Sequence, residues 1–271
     1  MGRKLFLSDL DGTLLTEQKT ISKRTMDALR AYAEAGNVFA ICTGRDINSA
    51  RKVYYDLKLN LKGSFIVAFN GGQILDVEKE KTIYRIGIEK SVVRQVLDMS
   101  KAYGVHAHTY NDRFILTESY DECVEFYRRV IKTPVIVADD ITPYMDVPPC
   151  KIIAIELHDH EKQERLKKDV EKLYEGTLSM FYSNPYYLEF VPASSGKGSA
   201  LTRLSEILGI DKNDTYAAGD AENDLSMIQA AGCGIAMVNG EETVKAAADI
   251  VTEKDNDHDG LADILMNIIS K

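Results

Sequence analysis

The sequence predicts an α/β fold in which a doubly wound, Rossmann-like parallel sheet is interrupted by an inserted α+β domain. Apolar runs of strand length alternate with amphipathic helical segments up to about Asn70 and again after Pro192, which is the pattern of βαβ units. Between these stretches, apolar segments follow one another across short polar turns, which is typical of hairpins. A chain of 271 residues that is 45% hydrophobic can form two domains, each with its own core.

The first part of the chain predicts three strands that are apolar along their whole length and are joined by helices. The strands are at residues 5–7, 38–42 and 65–69, and the helices are at residues 22–36 and 46–57. Runs that are apolar on both faces are typical of buried parallel strands. Asp9 and Asp11 follow the first strand, Thr43 the second and Asn70 the third. Because the carboxyl ends of parallel strands meet at one edge of a sheet, we expect these side chains to lie together.

The middle of the chain predicts a second domain, residues 82–191, inserted into a first domain of residues 1–81 and 192–271. Its predicted elements are hairpins at 105–117 and 178–191, helices near 92–103, 123–130 and 161–174, a proline-containing loop, and a strand at 151–157. A hairpin at residues 73–88 leads into it. His106 and His108 alternate with Ala107 on a predicted strand, so both lie on one face. Contact with a substrate and a half-exposed sheet surface explain that pair equally well.

After Pro192 the alternation of strands and helices returns. The helices are at residues 196–208, 225–230, 241–247 and 261–269, and the strands are at 214–218, 234–237 and near 250. Lys197 begins the first of these helices, and Asp220 and Asp224 follow the first of these strands. The two acids therefore join the polar residues at the carboxyl edge of the sheet.

This edge carries a predicted cation site. The aspartates concerned are Asp9, Asp11, Asp220 and Asp224. Neighbouring carboxylates cannot all remain ionised without a cation, and oxygen ligands without His or Cys favour Mg²⁺. An acidic turn is the alternative for the first pair, and a helix-start charge is the alternative for Asp224. An EF-hand is excluded, because Thr13 and Thr20 stand where that loop needs its third ligand and its closing Glu.

A phosphate site is predicted at the same edge. Thr43, Gly44 and Lys197 supply a hydroxyl, a backbone N–H and an ammonium group, which suit the oxygens of a phosphate. An aspartate beside them can attack phosphorus and form an aspartyl phosphate. Lys197 does not belong to a P-loop, because Val191 and Gly198 stand where that motif requires Gly and Ser or Thr.

Four motifs, in this order, resemble those of the haloacid dehalogenase-like hydrolase superfamily. They are Asp9-Leu10-Asp11-Gly12-Thr13, Thr43-Gly44-Arg45, Lys197 within Ser195-Gly196-Lys197-Gly198, and Gly219-Asp220-x-x-Asn223-Asp224. The insertion between the second and third motifs resembles the C2-type cap of the Cof-type sugar phosphatase branch. Each motif is weak alone, but the four together are specific, and the resemblance covers essentially the whole chain.

The resemblance implies an Mg²⁺-dependent phosphatase of small phosphate monoesters, sugar phosphates first. It implies that Asp9 is the nucleophile and that Asp11 is the general acid and base. The implied Mg²⁺ ligands are Asp9, the Asp11 backbone carbonyl and Asp220, with Asp224 in support, and the implied phosphate-binding residues are Thr43, Gly44, Lys197 and Asn223. A phosphomutase and, outside enzymes, a receiver-like phospho-aspartate switch are the alternatives. Asp11 and the inserted domain argue against the switch, which needs neither leaving-group protonation nor a lid.

Charge and composition limit the partners and the location. The formal charge is −9 and no basic block occurs, which argues against nucleic acid and anionic membranes and leaves a small phosphorylated metabolite as the expected partner. The four scattered cysteines form no Cys-x-x-Cys pair, so neither zinc nor a disulfide framework is indicated. With no leader and no apolar run of about 18 residues, we expect a cytoplasmic protein. The sequence carries no signal for an oligomeric state.

Overall fold

The computed structural model describes residues 2–270, which form two compact units. One unit contains the chain up to Tyr84 together with the chain from Gly196 on, and the other is Arg85–Ser195. Both divisions lie a few residues beyond the expected limits at 81/82 and 191/192. At the first division this is because the strand Lys81–Arg85 belongs to the sheet of the first unit. Among residues 2–270, no helix is both long and apolar enough to cross a membrane.

The helices and strands are numbered in chain order. The strands are β1 (Leu5–Ser8), β2 (Val38–Cys42), β3 (Phe65–Ala68), β4 (Gln73–Asp76), β5 (Lys81–Arg85), β6 (His106–Tyr110), β7 (Ile115–Thr117), β8 (Val135–Val137), β9 (Ile152–Ile155), β10 (Leu178–Asn184), β11 (Tyr187–Pro192), β12 (Thr215–Gly219), β13 (Cys233–Ala236) and β14 (Ile250–Val251). The helices are α1 (Lys23–Glu34), α2 (Ile47–Asp56), α3 (Lys90–Ala102), α4 (Glu122–Arg128), α5 (His160–Leu173), α6 (Lys197–Leu208), α7 (Leu225–Ala230), α8 (Glu242–Ala247) and α9 (Gly260–Ile269).

The first unit is built on an eight-stranded sheet with the strand order β14-β13-β12-β1-β2-β3-β4-β5. Neighbouring strands from β14 to β3 are parallel, and β4 is antiparallel to β3. β1 lies at the centre, with Leu5 paired to Thr215 on one side and to Val38 on the other. The predicted doubly wound α/β fold is confirmed. The carboxyl ends of β12, β1, β2 and β3 share one edge, where ligands of such folds bind.

Both faces of the central strands are buried, because their successive residues are apolar. On one face, Leu5 belongs to a cluster with Leu204 of α6 and Met227 of α7. On the other face, the ring of Phe6 meets the edge of the Tyr32 ring from α1. Full burial of one such side chain contributes about 1.5–3 kcal/mol. Packing on both sides therefore holds the strand ends, and the polar residues that follow them, in fixed positions.

The second unit contains a six-stranded sheet with the order β10-β11-β9-β6-β7-β8. The hairpins β6–β7 and β10–β11 form as predicted. Val96 of α3 and Leu166 of α5 pack with Ala154 and Leu188 of the sheet in one apolar cluster. The unit is therefore an α+β structure in which α3 and α5 cover one face of a mainly antiparallel sheet, while Tyr127 of α4 packs against His108 on the other face.

The strand β8 lies where the sequence predicts a loop. It has three residues, starts directly after Pro134 and pairs with β7 at the edge of the sheet. Its residues are only partly buried or exposed. A strand this short shows no clear alternation of apolar and polar residues, so its pairing with β7 depends on the neighbouring strand and not on its own pattern.

His106 and His108 are buried, so a half-exposed sheet surface is the wrong interpretation of this pair. His106 hydrogen-bonds to Asp121 and to His108, and His108 hydrogen-bonds to the hydroxyl of Tyr110. Burial lowers the pKa of His108 well below its usual value, with the nearby His106 and Lys151 acting in the same direction. The two histidines are therefore members of a hydrogen-bonded chain within the second unit.

Candidate active site

Neighbouring strand ends form the floor of the candidate site. Asp9 directly follows β1, and its backbone N–H donates to the carbonyl of Ala218 in β12 at 3.0 Å. Thr43 follows β2, and its N–H donates to the carbonyl of Val67 in β3 at 2.9 Å. Lys197 is the first residue of α6. The parallel ladder thus continues to the residues that the sequence analysis selected.

The centre of the site is a buried cluster of charges, made of Asp9, Lys197 and Asp224. The Lys197 Nζ atom lies 2.6 Å from Asp9 Oδ1 and 2.5 Å from Asp224 Oδ1. Burial raises the pKa of the Asp9 carboxyl to about 7, against the attraction of Lys197. Burial alone would lower the pKa of Lys197, but the two carboxylates hold it above its ordinary value. One ammonium faces two carboxyl groups, so the buried cluster has an excess of negative charge whenever both of them are ionised.

Asp224 uses both of its carboxylate oxygens within the protein. Oδ1 accepts from Lys197, and Oδ2 accepts from the backbone N–H groups of Asp220 and Ala221 at 3.0 and 3.1 Å. Gly219 is required beside it, because a Cβ atom there would lie 2.3 Å from the Asp224 Cβ. Asp224 therefore orients Lys197 and closes the turn that carries Asp220.

Asp220 contacts Gly12 and Thr13, the two residues that follow Asp11 in the chain. The hydroxyl of Thr13 donates to Asp220 Oδ1 at 2.6 Å. Gly12 has a φ of +83°, and a Cβ atom on it would lie 2.4 Å from Asp220 Oδ2. Only glycine combines this conformation with so close an approach. Thr13 was not predicted as a site residue, although its place in the first motif was an available signal.

The acidic residues fit a divalent cation. Asp9, Asp220 and Asp224 each place one carboxylate oxygen within 4.8 Å of the others, the single such group of His, Cys, Asp or Glu found in residues 2–270. All of these donors are hard oxygen ligands, which suit Mg²⁺. Burial also raises the pKa of Asp220, with Asp224 adding to the effect. A cation would remove this penalty on the ionised carboxylates.

Asp11 lies in a second group, the rim cluster, made of Asp11, Lys19 and Arg45. Arg45 Nη2 lies 2.8 Å from Asp11 Oδ2, and Lys19 Nζ lies 2.7 Å from Asp11 Oδ1. The Asp11 side chain is 42% exposed. Burial acts to raise the pKa of Asp11, but the hydrogen bonds from Lys19 and Arg45 outweigh it and hold this pKa below its usual value. Lys19 was missed, because it lies in a turn outside every motif.

The predicted phosphate-binding residues fall into two groups. Thr43 is buried, and its hydroxyl accepts from the backbone N–H of Arg45 at 3.3 Å. Asp46 then caps α2 by accepting backbone hydrogen bonds, which fixes the exit of the Thr43–Gly44–Arg45 loop. Asn223 is exposed, and its side chain has no hydrogen bond to another predicted site residue within the described chain. The contacts that join Asp9, Lys197, Asp220 and Asp224 do not include Asn223.

The fold and the site together define a class of enzyme. A doubly wound sheet presents at one edge an aspartate beside a buried lysine, a second aspartate two residues later, and an acidic group suited to a cation. These are the parts of a phosphoryl-transfer hydrolase. The chain belongs to the haloacid dehalogenase-like hydrolases, whose sequence profile matches residues 6–265.

Comparison with individual proteins supports the same class. The chain is 30% identical to the 5-amino-6-(5-phospho-D-ribitylamino)uracil phosphatase YwtE of Bacillus subtilis (strain 168), over 98% of both chains. Its fold is similar to that of a haloacid dehalogenase-like hydrolase from Bacteroides thetaiotaomicron, with a TM-score of 0.88, 32% identity, and coverage of 98% and 100%. The subclass IIB sugar phosphatase BT4131 has a TM-score of 0.77, 25% identity, and coverage of 97% and 98%. The expectation of a phosphatase of this superfamily is confirmed.

Proposed function

We propose that this protein is an Mg²⁺-dependent phosphatase that hydrolyses small sugar phosphates through an aspartyl phosphate on Asp9. The observation that carries the proposal is the contact of 2.6 Å between Asp9 Oδ1 and the buried Lys197 ammonium. Burying an ion pair is costly, and such a pair at a strand end is useful mainly where charge develops during a reaction. Asp9 directly follows the end of β1, and the carboxylates of Asp220 and Asp224 lie close to it, which suits a site where charge develops during a reaction.

Asp9, Asp220 and the backbone carbonyl of Asp11 would hold the Mg²⁺, with Asp224 in support. The ion would supply positive charge to the oxygens of the transferring phosphoryl group. On the protein side, Lys197 adds a fixed ammonium, and the Thr43 hydroxyl and Gly44 N–H add hydrogen-bond donors. Asn223 stays a predicted phosphate ligand.

In the first step, an Asp9 oxygen forms a bond to phosphorus while the bond from phosphorus to the leaving oxygen breaks. The leaving oxygen takes a proton from the Asp11 carboxyl group. In the second step, Asp11 removes a proton from water, the water oxygen bonds to phosphorus, and the acyl phosphate bond to Asp9 breaks. Phosphate is released and Asp11 is again protonated.

The contacts of the rim cluster favour one of the two roles of Asp11, that of the base. Arg45 and Lys19 favour the ionised carboxylate, which is the form that accepts a proton from water. For the first step, the carboxyl group must give up these contacts and take up a proton. We therefore expect Asp11 to change its partners during turnover.

Sugar phosphates are proposed as substrates because their leaving group is a poorly stabilised alkoxide, which needs the proton that Asp11 supplies. The names of two similar proteins agree with this class: YwtE acts on a phosphorylated ribityl chain, and BT4131 is a sugar phosphatase. We propose that Arg85–Ser195 forms the cap that selects among such leaving groups. The scattered cysteines, three of which are buried, agree with a reducing cytoplasm as the proposed location.

Phosphate release from a panel of sugar phosphates, with Mg²⁺ or with a chelator, tests the proposal. We expect release only with Mg²⁺, and after an acid quench we expect the mass of one phosphoryl group on the peptide that contains Asp9. The Asp9→Asn variant should show neither. A stable phosphoprotein without turnover would indicate a switch, and transfer to a second sugar hydroxyl without phosphate release would indicate a phosphomutase.

A further inference from the structure

The turn that follows β3 has an unusual backbone. Phe69 and Asn70 are consecutive non-glycine residues in the left-handed region, with φ values of +53° and +51°, and Gly71 follows with a φ of +100°. Side chains disfavour this region, so a pair of such residues persists only where the surrounding structure requires it. The sequence predicts Asn70 at the edge of the sheet, without a role of its own.

This turn holds the backbone of the predicted phosphate-binding loop at two points. The N–H of Asn70 donates to the carbonyl of Thr43 at 3.0 Å, and the N–H of Phe69 donates to the carbonyl of Arg45 at 2.9 Å. The two bonds flank Gly44. Two backbone hydrogen bonds thus tie the turn to the loop, and the position of the Gly44 backbone depends on them.

The side chain of Asn70 lies directly against Gly44. A Cβ atom on Gly44 would be 3.1 Å from both the Oδ1 and the Nδ2 atom of Asn70. The Oδ1 atom is buried and accepts no hydrogen bond within the described chain. A carboxamide that merely stabilised its own turn would use this oxygen locally, as asparagine in turns commonly does. Here the amide instead fills the space beside the loop.

The other end of the same turn meets the start of α6. A Cβ atom on Gly71 would lie 2.2 Å from the carbonyl oxygen of Gly196, the residue before Lys197. The turn thus contacts the Thr43–Gly44–Arg45 loop on one side and the base of the Lys197 helix on the other. These are the two sides between which the proposed phosphoryl group would be bound.

We infer that Asn70 is a positioning residue of the phosphate site, which acts through Gly44 and keeps the loop at a fixed distance from α6. The inference rests on the proposed binding of the phosphoryl group at Thr43, Gly44 and Lys197. Loss of the carboxamide would let the loop relax into the vacated space. Phosphate affinity and turnover would then fall while the fold remained intact.

Asn70→Gly is the most informative variant, because glycine adopts the left-handed conformation without strain and removes only the carboxamide. We expect an unchanged melting temperature, a loss of about tenfold or more in kcat/KM, and a comparable rise in the inhibition constant of inorganic phosphate. Asn60→Gly is the matched control, because Asn60 is also left-handed, with a φ of +42°, but is exposed and lies in a loop before β3. It should change none of the three quantities.

The inference is wrong if Asn70→Gly keeps kcat/KM and the phosphate inhibition constant within about twofold of wild type, or if only its melting temperature changes. Thr43→Val separates this failure from that of the proposed function. If Thr43→Val weakens phosphate inhibition and Asn70→Gly does not, the inference about Asn70 alone fails. If neither variant weakens it, the proposed phosphate position fails as well.

Discussion

The buried cluster and the rim cluster use the same residue types in opposite environments. Asp9 and Asp11 are two residues apart, and each is paired with basic side chains. The pKa of Asp9 is raised, because burial outweighs its lysine, while that of Asp11 is lowered, because two cations outweigh partial burial. The comparison shows that the balance between burial and the surrounding charges sets the chemical character of each aspartate.

The two lysines differ in the same way. The Lys197 side chain is 0% exposed, whereas that of Lys19 is 60% exposed. Removing one partner from a buried pair leaves an uncompensated charge and costs about 3–5 kcal/mol, whereas an exposed pair contributes about 0–1 kcal/mol. The two clusters should therefore respond very differently to equivalent substitutions.

The largest expected effect is that of Asp9→Asn in the buried cluster. The amide keeps the shape of the side chain but cannot attack phosphorus, so kcat should fall by more than about a hundredfold, or about 2.7 kcal/mol in barrier. Steady-state kinetics and circular dichroism would check the activity and the fold. A folded variant with a smaller loss would contradict covalent catalysis by Asp9.

Lys197→Met should have the next largest effect, on stability as well as activity. It leaves Asp9 and Asp224 buried without their ammonium, so the metal-free protein should lose about 3–5 kcal/mol in the free energy of unfolding. Added Mg²⁺ should recover part of this loss, because it binds the folded state. Urea titrations with and without Mg²⁺ measure both quantities, and a loss below about 1 kcal/mol would argue against a buried charge cluster.

Asp11→Asn in the rim cluster should impair only reactions that need a proton donor. Activity on a sugar phosphate should fall much further than activity on an aryl phosphate, whose leaving group needs little protonation. The ratio of the two kcat/KM values, for the variant and for wild type, is the measurement. Equal losses on both substrates would show that Asp11 is not the general acid.

Lys19→Met should have the smallest effect and is the control for Lys197→Met. Arg45 still pairs with Asp11, so the free energy of unfolding should change by no more than about 1 kcal/mol. Loss of one cation should let the pKa of Asp11 rise toward its usual value, because less charge then favours the carboxylate. Because Asp11 acts in its protonated form in the first step, the alkaline limb of the kcat/KM pH profile should move to higher pH, and a move to lower pH would refute this account of the rim cluster.

The strands of the first unit could be predicted because their side chains are apolar on both faces, and this signal is local. The same strands fixed the edge at which Asp9, Thr43 and Asp220 lie, since parallel strands have their carboxyl ends together. Local patterns do not report side chains that meet from distant loops. The contact between Thr13 and Asp220, which are far apart in the chain, had no such pattern.

By itself, the sequence determined the order of strands and helices in the first unit, its doubly wound sheet, and the aspartates and lysine at the carboxyl edge, because hydrophobic period and motif spacing are properties of neighbouring residues. Only the tertiary structure decided that Lys19 and Arg45 pair with Asp11, that β8 joins the edge of a sheet, and that the Asn70 turn contacts Gly44. Each of these depends on how separate loops and strands approach one another in space. The opposite pKa shifts of Asp9 and Asp11 depend on the same approach, because it decides how deeply each carboxyl group is buried and which cations lie beside it.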